Sequence, residues 1–395
     1  MPLHVLILPS WYPNKLNPIN GCFFREQAKA LAKAGMRVSV ISPSAVSMRN
    51  LELWRKLRKY PERYHDGEIT TYQKVFLNTF PRMPYLQTKQ FLLIGLKMFQ
   101  QYVDENGKPD LIHAHAAIMG GRLALEISRC YGIPYVITEH SSGFARNIYK
   151  KKQLEIAKEA YRFAQARIAV SRPFGQLLER MFPDAFTDWI EVPNIVMPEF
   201  SPPVNIEGKS RLETQEHFIF LNLGIMTPIK GQRDLLKSFA NSFQGDSRVR
   251  LRIGGDGPLR AELQQLAEEL GILNQIDFLG SLDREQVVEE MRHCDAFVLS
   301  SHFETFGVVL IEALACGKPV IATACGGPES IVNDGNGILV PPKDIKALSK
   351  ALQSIRTNYK TFIPEEIARD CHDRFGAESV AAKLQRIYEK VLTKI

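Results

Sequence analysis

The sequence predicts an α/β protein made of two doubly wound, Rossmann-like domains that face each other across a cleft. Three observations carry this. Short apolar runs alternate with longer segments of helical period along nearly the whole chain, the pattern of a parallel sheet covered by helices. A proline-rich stretch at residues 188–210 (DWIEVPNIVMPEFSPPVNIEGKS) interrupts the series and reads as a linker. The chain also has 395 residues, more than one core usually holds. The expected division is residues 1–190, a linker at 191–210 and residues 211–376. The last helix, within 377–395, is a candidate to pack back on the first domain.

Composition bounds the function. Apolar residues make up 45% and charged residues 24%, as in an ordinary globular protein. No run of ~18 apolar residues is present, so no membrane-spanning helix is expected. The opening MPLHVLILPSWYP lacks a basic leader and a small-residue cleavage site, and reads as a first strand rather than a signal peptide. The six cysteines are scattered without a CxxC pair, which argues for a reducing compartment and against structural zinc. Charge is uneven. Residues 1–190 hold 27 Lys and Arg against 15 Asp and Glu, whereas the remainder is acidic within a total of +7. A basic first half suits an anionic partner.

In order, residues 3–7 form a buried strand, and a turn-rich loop ends at Asn20-Gly21. A helical pattern runs from Phe23 through Ala34, and Arg37–Ile41 is the second strand. No GxGxxG lies in this β-loop-α-β unit, so a nicotinamide cofactor is not expected. Gly21 would let backbone approach a phosphate at the helix entrance, although Asn20-Gly21 reads equally as a plain turn. Residues 49–63 and 82–103 mix Lys and Arg with Trp, Tyr and Leu. An anionic membrane surface would take such segments; so would an ordinary helix with one apolar stripe. No nucleic-acid motif accompanies the charge. DLIHAHA at 110–116 is a strand placing His113 and His115 on one side, without a third metal ligand at suitable spacing. Tyr135–Glu139 is another strand, with His140 at its tip, and Ile168–Ser171 precedes a helix from Pro173.

The second series has strands at Phe218–Leu223, Arg250–Ile253, Ile276–Leu279, Ala296–Leu299, Val320–Thr323 and Ile338–Val340. Helices fall at Leu259–Leu270 and Arg284–Arg292, and a last one at Ala377–Leu392. The stretch Phe297–Val340 organises this half. A strand runs into a turn carrying Glu304; a helix opens at Phe306-Gly307 and holds Glu312. A second strand leads through Gly326-Gly327 into what reads as a second ligand-facing turn and helix. Ligands of open parallel sheets bind where strands end and helices begin, and a helix N-terminus there suits an anion. Carboxylates beside it suit hydroxyl groups.

At Glu304–Glu312 the chain resembles a known family. E-x7-E within SSHFETFGVVLIEALACGKPVIAT is similar to the retaining glycosyltransferases of family 4, which have the GT-B architecture. Supporting segments are Asn20-Gly21, DLIHAHAA (110–117), ITEH (137–140), VPNIV (192–196), LNLGIMTPIKG (221–231), GGDGPL (254–259), FLGSLDREQ (278–286) and GGPESIVNDGNGILV (326–340). The opening also looks like members that build bacterial cell-surface polysaccharides. The resemblance implies a metal-independent hexosyltransferase-like enzyme with no cofactor beyond its co-substrate, a UDP- or GDP-sugar. It would act on a saccharide acceptor, lipid-linked, at the cytoplasmic face of a membrane. By the same resemblance Glu304 contacts donor-sugar hydroxyls, with Phe306, Gly307 and Val308 amides holding sugar and phosphates. Glu312 accepts from the ribose, Gly21 approaches the diphosphate, Gly224 belongs to the donor-binding set, and Lys230 neutralises the leaving group. His140 lies near the donor sugar, and the chain at Gly280–Leu282 meets the base.

These residue types fit the chemistry, since a lysine and helix N-terminal amides stabilise a departing diphosphate without a divalent cation. One departure stands out. The arginine that family members often carry just after the glycine of this strand is Ile225 here, leaving Arg233, Arg172 or Arg25 as candidates for the missing charge. Two rivals stand beside transfer: a sugar-nucleotide epimerase of the same architecture, which a product assay on donor alone separates, and a non-catalytic saccharide-binding protein, against which the Glu304, Glu312 and Lys230 set argues. His113 and His115 read as structural, and His140 as either functional or a hydrogen-bonded structural histidine.

Overall fold

The structure is a computed structural model that describes residues 2–14, 20–58, 62–183, 188–203 and 217–394. Lys59 and Tyr60 of the basic stretch, and residues 204–210 of the expected linker, lie outside the described residues. The chain divides into two compact units, residues 1–195 with 377–395, and residues 196–376.

The first unit holds an eight-stranded sheet: β1 (His4–Pro9), β2 (Arg37–Ser47), β3 (Arg63–Asp66), β4 (Ile69–Asn78), β5 (Leu111–His115), β6 (Tyr135–Glu139), β7 (Ala166–Ala169) and β8 (Trp189–Glu191). Their order is β3-β4-β2-β1-β5-β6-β7-β8, parallel except for the antiparallel β3–β4 pair. Every residue of β1 and β5 is buried, which is why these strands read as continuous apolar runs rather than alternating ones. Helix α1 (Cys22–Lys33) buries Phe24, Ala28 and Leu31 on one face. Helix α13 (Ala377–Leu392) closes over it, with Val380, Leu384, Ile387, Tyr388 and Val391 in the same core. Each such side chain contributes roughly 1.5–3 kcal/mol of apolar burial. Helices α2 (Leu51–Leu57), α3 (Pro84–Asn106), α4 (Arg122–Tyr131), α5 (Lys151–Phe163) and α6 (Arg172–Met181) complete the unit.

The second unit holds β9 (Phe218–Leu223), β10 (Val249–Gly254), β11 (Ile276–Gly280), β12 (Ala296–Leu299), β13 (Val320–Thr323) and β14 (Gly337–Val340), all parallel, in the order β11-β10-β9-β12-β13-β14. Around them lie α7 (Gln232–Phe243), α8 (Arg260–Glu269), α9 (Arg284–His293), α10 (Val308–Ala315), α11 (Ile345–Thr357) and α12 (Pro364–Phe375). In both units the chain reverses its direction of winding at one point, between β1 and β5 and between β9 and β12. Those are the crevices where such sheets bind ligands.

One hairpin was not foreseen, and three expectations are corrected. Residues 63–78 form the β3–β4 hairpin, whose charged edge strand (RYHD) carries no apolar signal. β2 runs on to Ser47 because β4 pairs with it as far as Asn78. The expected linker begins with a strand, since Trp189–Glu191 pairs with β7. Finally, Gly326-Gly327 does not open a helix but a single 3-10 turn, Gly327–Ser330.

Candidate active site

In the second unit, the loops leaving β9 and β12 meet at the point where the winding reverses. Lys230 follows β9 and Glu304 follows β12. Lys230 Nζ donates to Glu304 Oε1 at 2.6 Å, and Ser301 Oγ donates to the same oxygen at 2.7 Å. Two features fix the lysine. Gly231, at the entrance of α7, has φ of 65°, and a Cβ there would lie 2.0 Å from the Ser300 carbonyl oxygen. Only glycine lets the two loops come this close. Ser300 Oγ donates to the Lys230 carbonyl at 3.0 Å.

Glu304 is fixed from its other side by the loop after β13. Glu304 and Gly326 form an isolated parallel bridge, and Gly327 N donates to Glu304 O at 2.8 Å. A Cβ on Gly327 would lie 2.2 Å from the Phe306 Cα. Gly326-Gly327 therefore spaces two loops rather than facing a ligand, and Glu329 accepts from Gly326 N at 2.8 Å. The chain then turns through Phe306, which is buried, and Gly307, with φ of 104°, into α10 at Val308. No side chain caps α10 and no acidic residue sits in its first turn, so its N-terminal amides suit an anion without competition from a carboxylate in that turn.

Glu312 lies one turn along α10 and is 5% exposed. Arg284 Nη1 donates to it at 2.8 Å, while Arg284 Nε donates to Glu199 at 3.0 Å and its guanidinium lies 4.2 Å from the Phe200 ring centre. Burial pushes the Glu312 carboxyl above the usual carboxylate range, and Arg284 opposes that shift. Gly224 donates its N–H to Gly254 O at 3.0 Å, and Leu282 closes against Gly254 beyond the ends of β10 and β11. Ile225 is 65% exposed. Of the arginines considered as its replacement, Arg233 is paired with Glu262, and Arg25 with Glu26 and Asp66 in the first unit.

In the first unit, Gly21 is the N-cap of α1 with φ of 78°, and a Cβ there would meet Trp11 at 2.9 Å. α1, like α10, has no capping side chain and no acid in its first turn. The next residues, Phe23 and Phe24, pack on the His140 ring at 5.2 and 4.8 Å, so Gly21 and His140 belong to one neighbourhood. His140 Nε2 meets His115 Nδ1 at 3.1 Å. His113 is spent on structure: Nδ1 bonds Tyr388 Oη at 2.6 Å and Nε2 bonds Thr138 Oγ1 at 2.7 Å. Among the described residues, no three His, Cys, Asp or Glu side chains converge as a metal site. Desolvation lowers His113 and His140 to about 3, and His115 well below 6.5. His140 is thus a neutral imidazole at ordinary pH, able to exchange hydrogen bonds but not to donate a proton as an imidazolium.

Sequence reasoning missed Ser301, Arg284, Glu199 and the pair His302 Nε2–Asp234 Oδ2 at 2.7 Å. Ser301 stands three residues before Glu304 and was open to notice. Arg284 lies 28 residues from Glu312 and meets it only through the packing of α9 on α10.

Known proteins point the same way. A family model described as "Glycosyl transferases group 1" matches residues 205–367, and one described as "Glycosyltransferase Family 4" matches residues 23–200. The putative teichuronic acid biosynthesis glycosyltransferase TuaC of Bacillus subtilis (strain 168) is 27% identical over 398 residues, covering 96% of each chain. Sucrose-phosphate synthase from Thermosynechococcus elongatus superposes over the whole of both chains with a TM-score of 0.76 and 21% identity. Anabaena HepE, solved in complex with UDP and glucose, gives a TM-score of 0.68 at 20% identity, covering 98% of this chain and all of that one. These two structural likenesses are likenesses of fold. Since two glycosyltransferase models match in tandem along most of a chain with two doubly wound units, the protein belongs to the family 4-type glycosyltransferases of GT-B architecture.

Proposed function

We propose that the protein is a retaining, metal-independent transferase. It moves a sugar from a UDP- or GDP-sugar to a lipid-linked saccharide at the cytoplasmic face of a membrane, in the building of a surface polysaccharide. The observation that carries this reading is the Lys230–Glu304 contact beside the uncapped N-terminus of α10. Similar proteins lend support: TuaC is named for teichuronic acid biosynthesis, and HepE was solved with UDP and glucose.

As the donor enters, its diphosphate takes Lys230 and the amides of Gly307 and Val308. Glu304, released from the lysine but still held by Ser301, accepts from sugar hydroxyls. Glu312 accepts from the ribose, with Arg284 holding its charge in place. Gly224 and Leu282 border the nucleotide. When the glycosidic bond breaks, the developing charge on the diphosphate falls on a fixed cation and fixed dipoles that need no reorganisation. The acceptor attacks on the face the diphosphate leaves and passes its proton to a diphosphate oxygen. Within the first unit, Gly21 and the neutral His140 offer backbone approach and hydrogen bonding.

The test is transfer in the presence of EDTA with the product's anomeric configuration read by NMR. Retention at full rate is expected. An inverted product, or complete loss restored by a divalent cation, would overturn the corresponding part of the proposal. A thermal-shift screen of UDP-, GDP- and ADP-sugars identifies the donor, because a ligand present at about a hundred times its Kd adds about 2.7 kcal/mol to the native state.

A further inference from the structure

Strand β6 ends on an acid. All five residues of Tyr135–Glu139 are buried, and Glu139 has no exposed surface. Among the described residues, no lysine or arginine stands against its carboxylate. A buried carboxylate without a counter-ion is costly, and an apolar residue would spare the strand that cost. What Glu139 holds instead is two turns. Its Oε1 accepts from the N–H groups of His140 at 2.9 Å and Ser141 at 2.8 Å. Its Oε2 accepts from Ala117 N at 2.9 Å and from Tyr161 Oη at 2.6 Å.

Both turns leave strand ends beside the point where the sheet reverses its winding, and one of them is strained. Ala116, between β5 and Ala117, has φ of 62° and ψ of 131°, a conformation that a residue with a Cβ rarely adopts. Such a residue persists only where its neighbours over-determine it, and such residues gather at functional sites. Here its N–H donates to Thr138 O at 2.9 Å, its carbonyl accepts from Ser10 Oγ at 2.9 Å, and Glu139 binds the N–H that follows. The His140 ring is held separately, by His115 Nδ1 at 3.1 Å. His115, like Glu139, is wholly buried, so each acts only through the residue it holds.

We propose that Glu139 and His115 are positioning residues for sugar transfer, Glu139 fixing the backbone of the His140–Ser141 turn and His115 fixing the His140 ring. This role rests on the transfer reading, in which His140 lies near the donor sugar. A misplacement of about 1 Å in a group that meets the reacting atoms costs about a hundredfold in rate. Gln in place of Glu139 keeps the length of the side chain and one acceptor oxygen. Its amide nitrogen only donates, so either the His140–Ser141 pair or Ala117 is left facing a donor. Tyr161 donates to the same carboxylate from α5, outside both turns, and so separates the loss of one buried bond from the loss of the turn.

The full chain is assayed for nucleoside diphosphate released from UDP-, GDP- and ADP-sugars over a bacterial lipid extract, and by thermal shift with the same sugar nucleotides. Glu139→Gln should lower kcat by about ten- to a hundredfold and leave the donor KM within about twofold of the parent's, because the residues that hold the donor are those of the second unit. His115→Leu should do the same, and His115→Asn, whose amide can stand where Nδ1 stood, should recover most of the loss. Tyr161→Phe should keep kcat within about twofold although it loses a buried hydrogen bond of its own. Parental kcat in folded Glu139→Gln or His115→Leu, a His115→Asn variant no faster than His115→Leu, or Tyr161→Phe as slow as Glu139→Gln overturns the proposal. If Glu139→Gln does not fold, the two His115 variants decide. A parent that releases no nucleoside diphosphate and shows no shift with any sugar nucleotide sinks the transfer reading instead. The NMR resonances of the His140 ring, displaced by Glu139→Gln and His115→Leu and unmoved by Tyr161→Phe, then show whether the hold on His140 stands.

Discussion

Acid should unfold the first unit through its buried histidines. His113, His115 and His140 lie in one cluster, with the His113 and His115 rings 4.3 Å apart and those of His115 and His140 5.3 Å apart. Desolvation is the main cause of each depressed value, and neighbouring imidazoles add to it for His115 and His140. Each folded histidine stays neutral down to about pH 3 or below, whereas in the unfolded chain it binds a proton near 6.5. The unfolded state therefore holds more protons, and stability present above 6.5 is lost as pH falls. Between about pH 7.5 and about pH 5.5 each histidine costs on the order of 1 kcal/mol, so the three together cost a few kcal/mol. That is a large part of the roughly 5–15 kcal/mol that holds a typical domain. Buried Glu139 works in the opposite sense, because its raised value means that the folded state takes up its proton first. The three-histidine figure is thus an upper bound. The effect of one histidine is isolated by His113→Gln, which should remove on the order of 1 kcal/mol of the pH-dependent loss whatever it does to stability at neutral pH. Urea unfolding followed by tryptophan fluorescence reads this unit alone, since Trp11, Trp54 and Trp189 all belong to it. Equal midpoints at the two pH values, or a His113→Gln variant with the parent's pH slope, would refute the reasoning.

Three further outcomes follow from the second unit. Lys230→Ala should lower kcat by about a hundred- to thousandfold with the fold preserved, by analogy with removing one preorganised donor from a developing anion, and Glu304→Ala should lower kcat/KM because it removes the acceptor for donor-sugar hydroxyls; near-parental turnover of either in a steady-state assay would remove that residue from the site. Arg284→Ala should weaken the unit by about 2 kcal/mol, less than for a fully buried pair because the arginine is one-third exposed. With a carboxyl raised above its unfolded value, that loss should grow as pH rises past the usual carboxylate range, and Glu312→Gln in the same chain should abolish the growth. Gly231→Ala forces a Cβ to within 2.0 Å of a carbonyl at positive φ, so the thermal transition of the unit should fall by several degrees and activity should fall with it; an unshifted melt would mean that the two loops are not held together there.

Where burial on both faces dictates an apolar run, the sequence was readable to the residue. Ala296–Leu299, Val320–Thr323 and the helix Ala377–Leu392 fall where their patterns place them. A strand defined by backbone pairing alone was not readable: Arg63–Asp66 is charged and half in solvent, and only its register with β4 makes it a strand. The same division runs through the site. Glu304, Gly307 and Glu312 stand on one local strand-turn-helix, so their spacing could be read. The partners they bond come from elements adjacent only in space, Lys230 from 74 residues before Glu304 and Arg284 from 28 residues before Glu312.

The glycines show what this means physically. In sequence, Gly307 and Gly326-Gly327 look alike, each a glycine turn between a strand and a helix. In the structure Gly307 opens an eight-residue helix whose amides are uncapped, while Gly326 and Gly327 have the backbone of Glu304 and Phe306 where a Cβ would be. Glycine opens a helix entrance in the first case and serves loop-on-loop packing in the second, and no local pattern separates the two. The packing matters because the Glu304 carboxylate hangs on a loop, and a loop by itself would not hold a group to the sub-ångström tolerance that transition-state electrostatics require. The bridge to Gly326, the bond from Ser301 and the close approach of Gly231 to Ser300 together turn three loops into one rigid rim around Lys230 and Glu304. In the transfer proposed above, with Ile225 following Gly224, the leaving group's charge would fall on Lys230 and the α10 amides, and that would place the greater demand on this rim holding still.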